Sequence, residues 1–158
     1  MAQEESSMFV PSYGSADLIT LDVISKLVKG ILDSITLTQE GTCKMDSYDP
    51  DSIVTGTGAI TCIAGGLQQK NPGVADFDVT FSIVGLTFSS TDADKKIIRG
   101  LFCDVMRSVM GFTAASLTTA SGVTVDGIYP IQNAVIQAGS DKFLMNVDFK
   151  LALGELSF

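Results

Sequence analysis

The run Asp46-Ser-Tyr-Asp49-Pro-Asp51 is the densest set of potential ligand oxygens in this chain. A calcium loop of the EF-hand kind needs oxygen donors at alternate positions, a glycine at the sixth and a glutamate at the twelfth. Counted from Asp46, Asp51 stands in place of the glycine and Thr57 in place of the glutamate. The pattern fails. Asp46, Asp49 and Asp51 are therefore expected to project into solvent or line a channel, holding no specific metal.

Other chemistry is scarcer still. The chain has no histidine, which removes the commonest general base, the Ser-His triad and the usual zinc and iron ligands together. A lysine base or paired carboxylates remain as options, but the acids do not assemble into a pair. Asp92 and Asp94 read as helix-capping residues, and Asp126, Asp141 and Asp148 fall in or beside a hairpin. Gly65-Gly66-Leu67-Gln68-Gln69-Lys70 lacks phosphate-loop spacing, and Gly56-Thr57-Gly58 has no third glycine for a dinucleotide site. Both read as bends. Cys43, Cys62 and Cys103 are odd in number and lack a CxxC spacing, so neither a disulfide framework nor zinc is expected. Cys62 and Cys103 lie among apolar neighbours and are expected to be small core residues. No catalytic residue, cofactor or metal follows from these residues, and enzyme activity is not expected.

Charge narrows the partners. Eighteen acids against ten bases give a net charge of −8. Affinity for the phosphate backbone comes from clustered Lys and Arg. Here the closest groups are only Lys26/Lys29 and Lys95/Lys96/Arg99. Tight DNA binding is thus disfavoured, although an acidic wall can keep DNA from adhering as it passes. Hydrophobic residues make up 46% of the chain, high enough to point to apolar area buried between subunits. No run reaches the length of a membrane span. The start Met1-Ala2-Gln3-Glu4-Glu5 is acidic and polar, unlike a signal peptide, so residence in the cytoplasm is the expectation.

The elements that must position these residues follow from periodicity. At 158 residues the chain fits one domain, expected over 15–158 behind an arm of residues 1–14. That arm carries Met8, Phe9, Val10 and Tyr13 after a polar tip, a candidate contact with a neighbouring subunit or with its own domain. Ser15 reads as a helix cap, and Leu18, Leu21, Ile24, Leu27, Val28, Ile31 and Ile35 form one stripe about five turns long. Gly30 within it predicts close packing. Ile35 to Thr38 reads as a short strand. Ile53 to Ile63 reads as a strand bent at Gly56 or Gly58, and Gly65 to Gly73 as a turn. Phe77, Val79, Phe81 and Ile83 alternate as a strand does. Thr91 then caps a second helix, with Ile97, Ile98, Leu101, Phe102, Val105, Met106 and Val109 on its buried side. Gly111 is expected to stop it in left-handed geometry. Residues 112–122 read as loop or irregular strand, and Val123 to Ala138 as a strand interrupted at Pro130. The run Phe143 to Leu153 closes a hairpin across Gly139 to Lys142. The predicted fold class is α/β in the α+β sense, a mainly antiparallel sheet with two helices packed on one face.

That order of elements resembles the tail terminator and tail-completion (neck) proteins of tailed bacteriophages. The helix Leu18 to Ile35, the strand Phe77 to Phe88, the helix Asp92 to Met110, the segment Val125-Asp-Gly-Ile-Tyr-Pro-Ile and the strand Phe143 to Leu153 carry the resemblance. It implies a structural subunit of a homohexameric ring that caps the tail tube and joins it to the head. Its partners would be further copies of itself, the tail tube protein and the head–tail connector protein, with DNA passing through unbound. It implies a place in the virion tail or neck, after synthesis in the bacterial host cytoplasm. A tail-tube, connector or baseplate subunit is the alternative within the same class. From a different class, an apolar-ligand carrier with its cavity between helices and sheet is the competitor.

Overall fold

The computed structural model describes residues 15–38, 42–45, 58–88, 92–138 and 142–155. They form an α+β fold in which helices cover one face of a curled, mixed sheet. In chain order the elements are α1 (Ser15–Asp33), β1 (Thr42–Met45), β2 (Gly58–Gln69), β3 (Phe77–Phe88), α2 (Asp92–Met110), α3 (Ala114–Ser121), β4 (Val125–Ile128), β5 (Asn133–Ala138) and β6 (Lys142–Leu153).

The centre of the sheet is the antiparallel pair β3 and β6, in register from Asp78 opposite Ala152 to Phe88 opposite Lys142. Alternation in both strands sends Val79, Phe81 and Ile83 to the same side as Met145, Val147, Phe149 and Leu151, all buried. The Phe81 and Phe149 rings stack at 5.9 Å, and Phe112 meets Phe149 edge-on at 6.0 Å. Helix α2 closes this side with Ile98, Leu101, Val105 and Val109, a stripe at helical spacing. Burying each such side chain contributes about 1.5–3 kcal/mol, which makes this layer the main source of stability. The other sheet face carries Thr80, Ser82, Asn146, Asp148 and Lys150, half-buried and polar.

Flanking strands extend the sheet on both sides. β2 pairs antiparallel with β3 through the turn at Asn71-Pro72-Gly73, where Gly73 takes φ 76°. β1 adds in parallel to β2. On the far side β4 and β5 share the outer edge of β6, the first against Leu151 to Leu153 and the second against Phe143 to Asp148. The break between them falls at Pro130, as a residue without an N–H requires.

α1 buries Val23, Leu27, Ile31 and Leu32, while Lys26–Asp22 and Lys29–Asp33 pair at 3.0 and 3.1 Å on its exposed side. Gly30 does mark close packing: a Cβ there would sit 2.8 Å from the Cβ of Ser121 on α3.

Several expectations need correction. Residues 114–121 are a third helix, not a loop or strand. It is held by a capping box between Thr113 and Ser116 and ends at Gly122 with φ 75°. Its Thr-rich sequence buries only Leu117 and Ser121, too few to print a helical period. Strand β2 runs on to Gln69 through what read as a turn, because its irregularity lies between Ala64 and Gly66 and not at Gly58, which pairs with Thr87. Gly56 and the cap Thr91 lie outside the described residues. Gly111 closes α2 by donating to the Arg107 and Ser108 carbonyls, without left-handed geometry. Ile35 to Thr38 is irregular chain, with Ile35 buried beyond the helix end. Phe102 is only partly buried, and Cys103 is exposed on the outer side of α2.

Candidate functional site

The sequence-derived candidates fall outside the described residues: the arm residues Met8, Phe9, Val10 and Tyr13, and the acidic-loop residues Asp46, Asp49 and Asp51. What the fold does bring together are two buried aspartates and a set of exposed apolar side chains.

Asp104 lies on α2 and is 2% exposed. Its carboxylate accepts from the Thr38 backbone N–H at 2.8 Å and from the Thr38 hydroxyl at 2.9 and 3.0 Å. Arg107, one turn on, adds a contact at 3.3 Å from its Nη1. Ser108 Oγ accepts from the Thr36 N–H at 3.2 Å. The irregular chain after α1 is thus tied to α2 by side chains that replace the ladder bonds a strand would have made. These residues line a cleft of about 460 Å³ with Ser34, Gly111, Phe112 and Ser116. Its hydroxyls are engaged in local bonds: Ser34 Oγ donates to the Gly30 carbonyl at 2.7 Å, and Ser116 Oγ to the Thr113 carbonyl at 3.0 Å. The arrangement fits anchoring rather than proton transfer.

Asp78 sits on the polar sheet face, 7% exposed. Tyr129 donates to its Oδ2 at 3.0 Å. Lys70 reaches Asp76 at 2.9 Å but approaches Asp78 Oδ1 only to 3.8 Å, leaving that buried oxygen without a hydrogen bond. Lys150 lies over the Tyr129 ring at 4.5 Å. The hydrogen bond Tyr129 donates to Asp78, then burial and the carboxylate's charge, hold its phenol above the usual pKa. Lys70 is also held above its usual value, first by its hydrogen bond to Asp76. A raised tyrosine is a donor and not an activated nucleophile. The cluster ties the β2–β3 turn to the end of β4. Neither aspartate announced itself in sequence, since each occupies an ordinary polar position of its element. Nearby on the same face, Asp148 accepts from Ser82 at 2.6 Å and from Asn146 at 2.9 Å.

The cysteines divide. Cys62 is buried, and burial pushes its thiol up to about 12, whereas Cys43 and Cys103 are exposed. Among the described residues no three His, Cys, Asp or Glu side chains converge on a metal position. No described helix is long and apolar enough to cross a membrane.

Exposed apolar side chains occupy separate places. Ile63 and Leu67 stand on β2, Ile136 on β5, and Met110 and Tyr129 beside an open apolar cleft of about 490 Å³ between the end of α2 and the β4–β5 link. Val109, Phe112, Ile128, Pro130 and Ile131 complete that cleft. The sequence matches no known family model and no curated protein.

Proposed function

We propose that this chain is a structural ring subunit of a tailed-phage neck or tail, resembling a terminator that caps the tail tube and joins it to the head. The carrying observation is the separation of its exposed apolar side chains. Ile63, 50% exposed, and Leu67 lie toward one side of the sheet, whereas Ile136 and the 69% exposed Met110 lie toward the other. Unlike apolar side chains exposed at opposite flanks of one subunit suit a heterologous contact, and heterologous contacts repeated by rotation close a ring. The net charge of −8 suits a channel that DNA traverses without adhering. In this reading the neighbours are further copies of the chain, the tube protein and the connector protein, and the site of action is the virion.

The test is the mass of the full chain in solution, with negative-stain images of the same sample. A hexameric ring, alone or on the tips of purified tubes, is the expected result. Monomers that also fail to bind tubes or heads overturn it, and open-ended stacks reassign the chain to the tube itself. A carrier of apolar ligands is the second reading, favoured by the cleft at Met110 and Tyr129. Saturable binding of an apolar fluorophore by a monomer would support it.

A further inference from the structure

Among the described residues β1 and β5 lie at opposite margins of the sheet, and their geometry matches. Partners can be followed across it strand by strand: Cys43 leads through Ala59, Leu86 and Leu144 to Gln137. Likewise Lys44 leads through Ile60, Gly85 and Met145 to Ile136, and Met45 leads through Thr61, Val84 and Asn146 to Val135. β1 and the second half of β5 thus lie level, at opposite ends of the same cross-strand rows. Their directions also match a junction. β1 runs parallel to β2, and the three pairings from β2 to β3, β6 and β5 are each antiparallel. β5 therefore runs antiparallel to β1.

β5 is also an unguarded edge. Sheet margins are commonly protected by Lys, Pro, a bulge or a covering element. Asn133-Ala-Val-Ile-Gln-Ala138 has neither a charge nor a proline, pairs among the described residues only with β6, and exposes Asn133, Ala134, Ile136 and Gln137. Backbone donors and acceptors in a row are recognised by another extended strand.

We infer that β5 of one copy pairs antiparallel with β1 of a second copy, so that the sheet continues from subunit to subunit. This rests on the ring reading and specifies its contact. A β5-to-β5 pairing would be isologous and stop at two copies, whereas β5 to β1 is heterologous and repeats around a ring.

Cysteine coupling tests it on the full chain, because Cys43 already lies exposed on β1. In a Cys103→Ser background, which removes the exposed thiol of α2, single cysteines replace Asn133, Ala134, Val135, Ile136 and Gln137 in turn. A cross-strand disulfide needs both side chains on one sheet face and close Cα atoms. Cys43 shares its face with Asn133, Val135 and Gln137, and the opposite face carries Ala134 and Ile136. Mild oxidation should therefore give a ladder of covalent multimers chiefly from the one odd position that falls opposite Cys43 and little from the even ones, all lost on adding Cys43→Ser.

Ile136→Lys should weaken assembly by about tenfold or more, since a lysine on an edge opposes strand addition. Ile136→Glu should weaken it less, because Lys44 occupies the same face. Rings that form with no coupling, or with coupling indifferent to position, overturn the junction and leave the ring standing. Covalent dimers that survive Cys43→Ser show an isologous pair and overturn it too. A chain that stays monomeric in solution and on tubes overturns both readings.

Discussion

Asp104 and Asp78 are both buried, yet the fold satisfies them unequally. Asp104 accepts bonds on both oxygens from Thr38 and takes an arginine at its rim. Asp78 accepts one bond, from Tyr129, and keeps an oxygen whose nearest cation stands 3.8 Å away. A buried carboxylate costs desolvation, recovered only when its lone pairs are filled. The first aspartate is therefore a fastening between α1 and α2. The second is a compromise at a sheet end, where the turn after β2 and the link after β4 happen to converge.

Replacing Asp104 should break that contrast most visibly. Asp104→Ala removes the carboxylate to which the Thr38 N–H and hydroxyl donate, and hydrogen bonds to a charged group are each worth about 1.5–3 kcal/mol. Chemical denaturation should show a loss of about 2–3 kcal/mol for Asp104→Ala, allowing for the exposed Arg107 partner. A loss under about 0.5 kcal/mol would mean that Ile35 burial and the Thr36–Ser108 bond hold the post-α1 chain.

Alkaline titration separates the two sites next. Tyr129 and Lys70 both hold their protons more tightly in the folded protein. Their contribution is present below the ordinary Tyr and Lys range and is lost as pH rises through the folded values. Cys62 acts in the same direction over a window from about 9 to about 12, because an unfolded chain ionises the thiol first. In a Cys62→Ala background, stability should still fall above about pH 10, the ordinary tyrosine range. Adding Tyr129→Phe should make that fall shallower. Adding Thr38→Val should not, since it removes no ionisable group. An identical alkaline profile with and without Tyr129 would remove the phenol from the cluster's energetics.

Much of this layout was legible in the chain. The period-two runs of β3 and β6 and the stripe of α2 appear where alternation and helical spacing placed them, since burial on one face writes itself into sequence. What escaped was decided by contacts and not by period. α3 owes its existence to Gly30 meeting Ser121, to Leu117 and to two capping residues. Cys103 sits among apolar neighbours in sequence yet on the exposed side of the helix. The aspartates are invisible in sequence for the same reason, because a polar residue on an amphipathic element looks solvated until a second element packs over it. The resemblance to terminators concerned order alone, and only the cross-strand rows reveal that β1 and β5 run level.

The smallest expected effect is the sharpest test of the contrast. Asp78→Asn keeps an oxygen to accept from Tyr129 and removes a charge whose other oxygen has no hydrogen bond. It gives up the 3.8 Å attraction to Lys70, which is weak at that distance beside water. The gain in desolvation and the loss of attraction nearly cancel, so the change in unfolding free energy should stay within about 1 kcal/mol. The same exchange at Asp104 replaces one of two working acceptor oxygens with a donor, turned toward Thr38 or Arg107. Asp104→Asn should therefore cost at least about 1 kcal/mol more than Asp78→Asn when both are measured under one set of conditions. Equal costs would mean that Asp78 is satisfied in solution by a donor on a neighbouring copy or by bound water. Measuring the pair over a range of protein concentrations separates those two sources. A cost at Asp78 that appears only at high protein concentration would place the β2–β3 turn in a contact between copies.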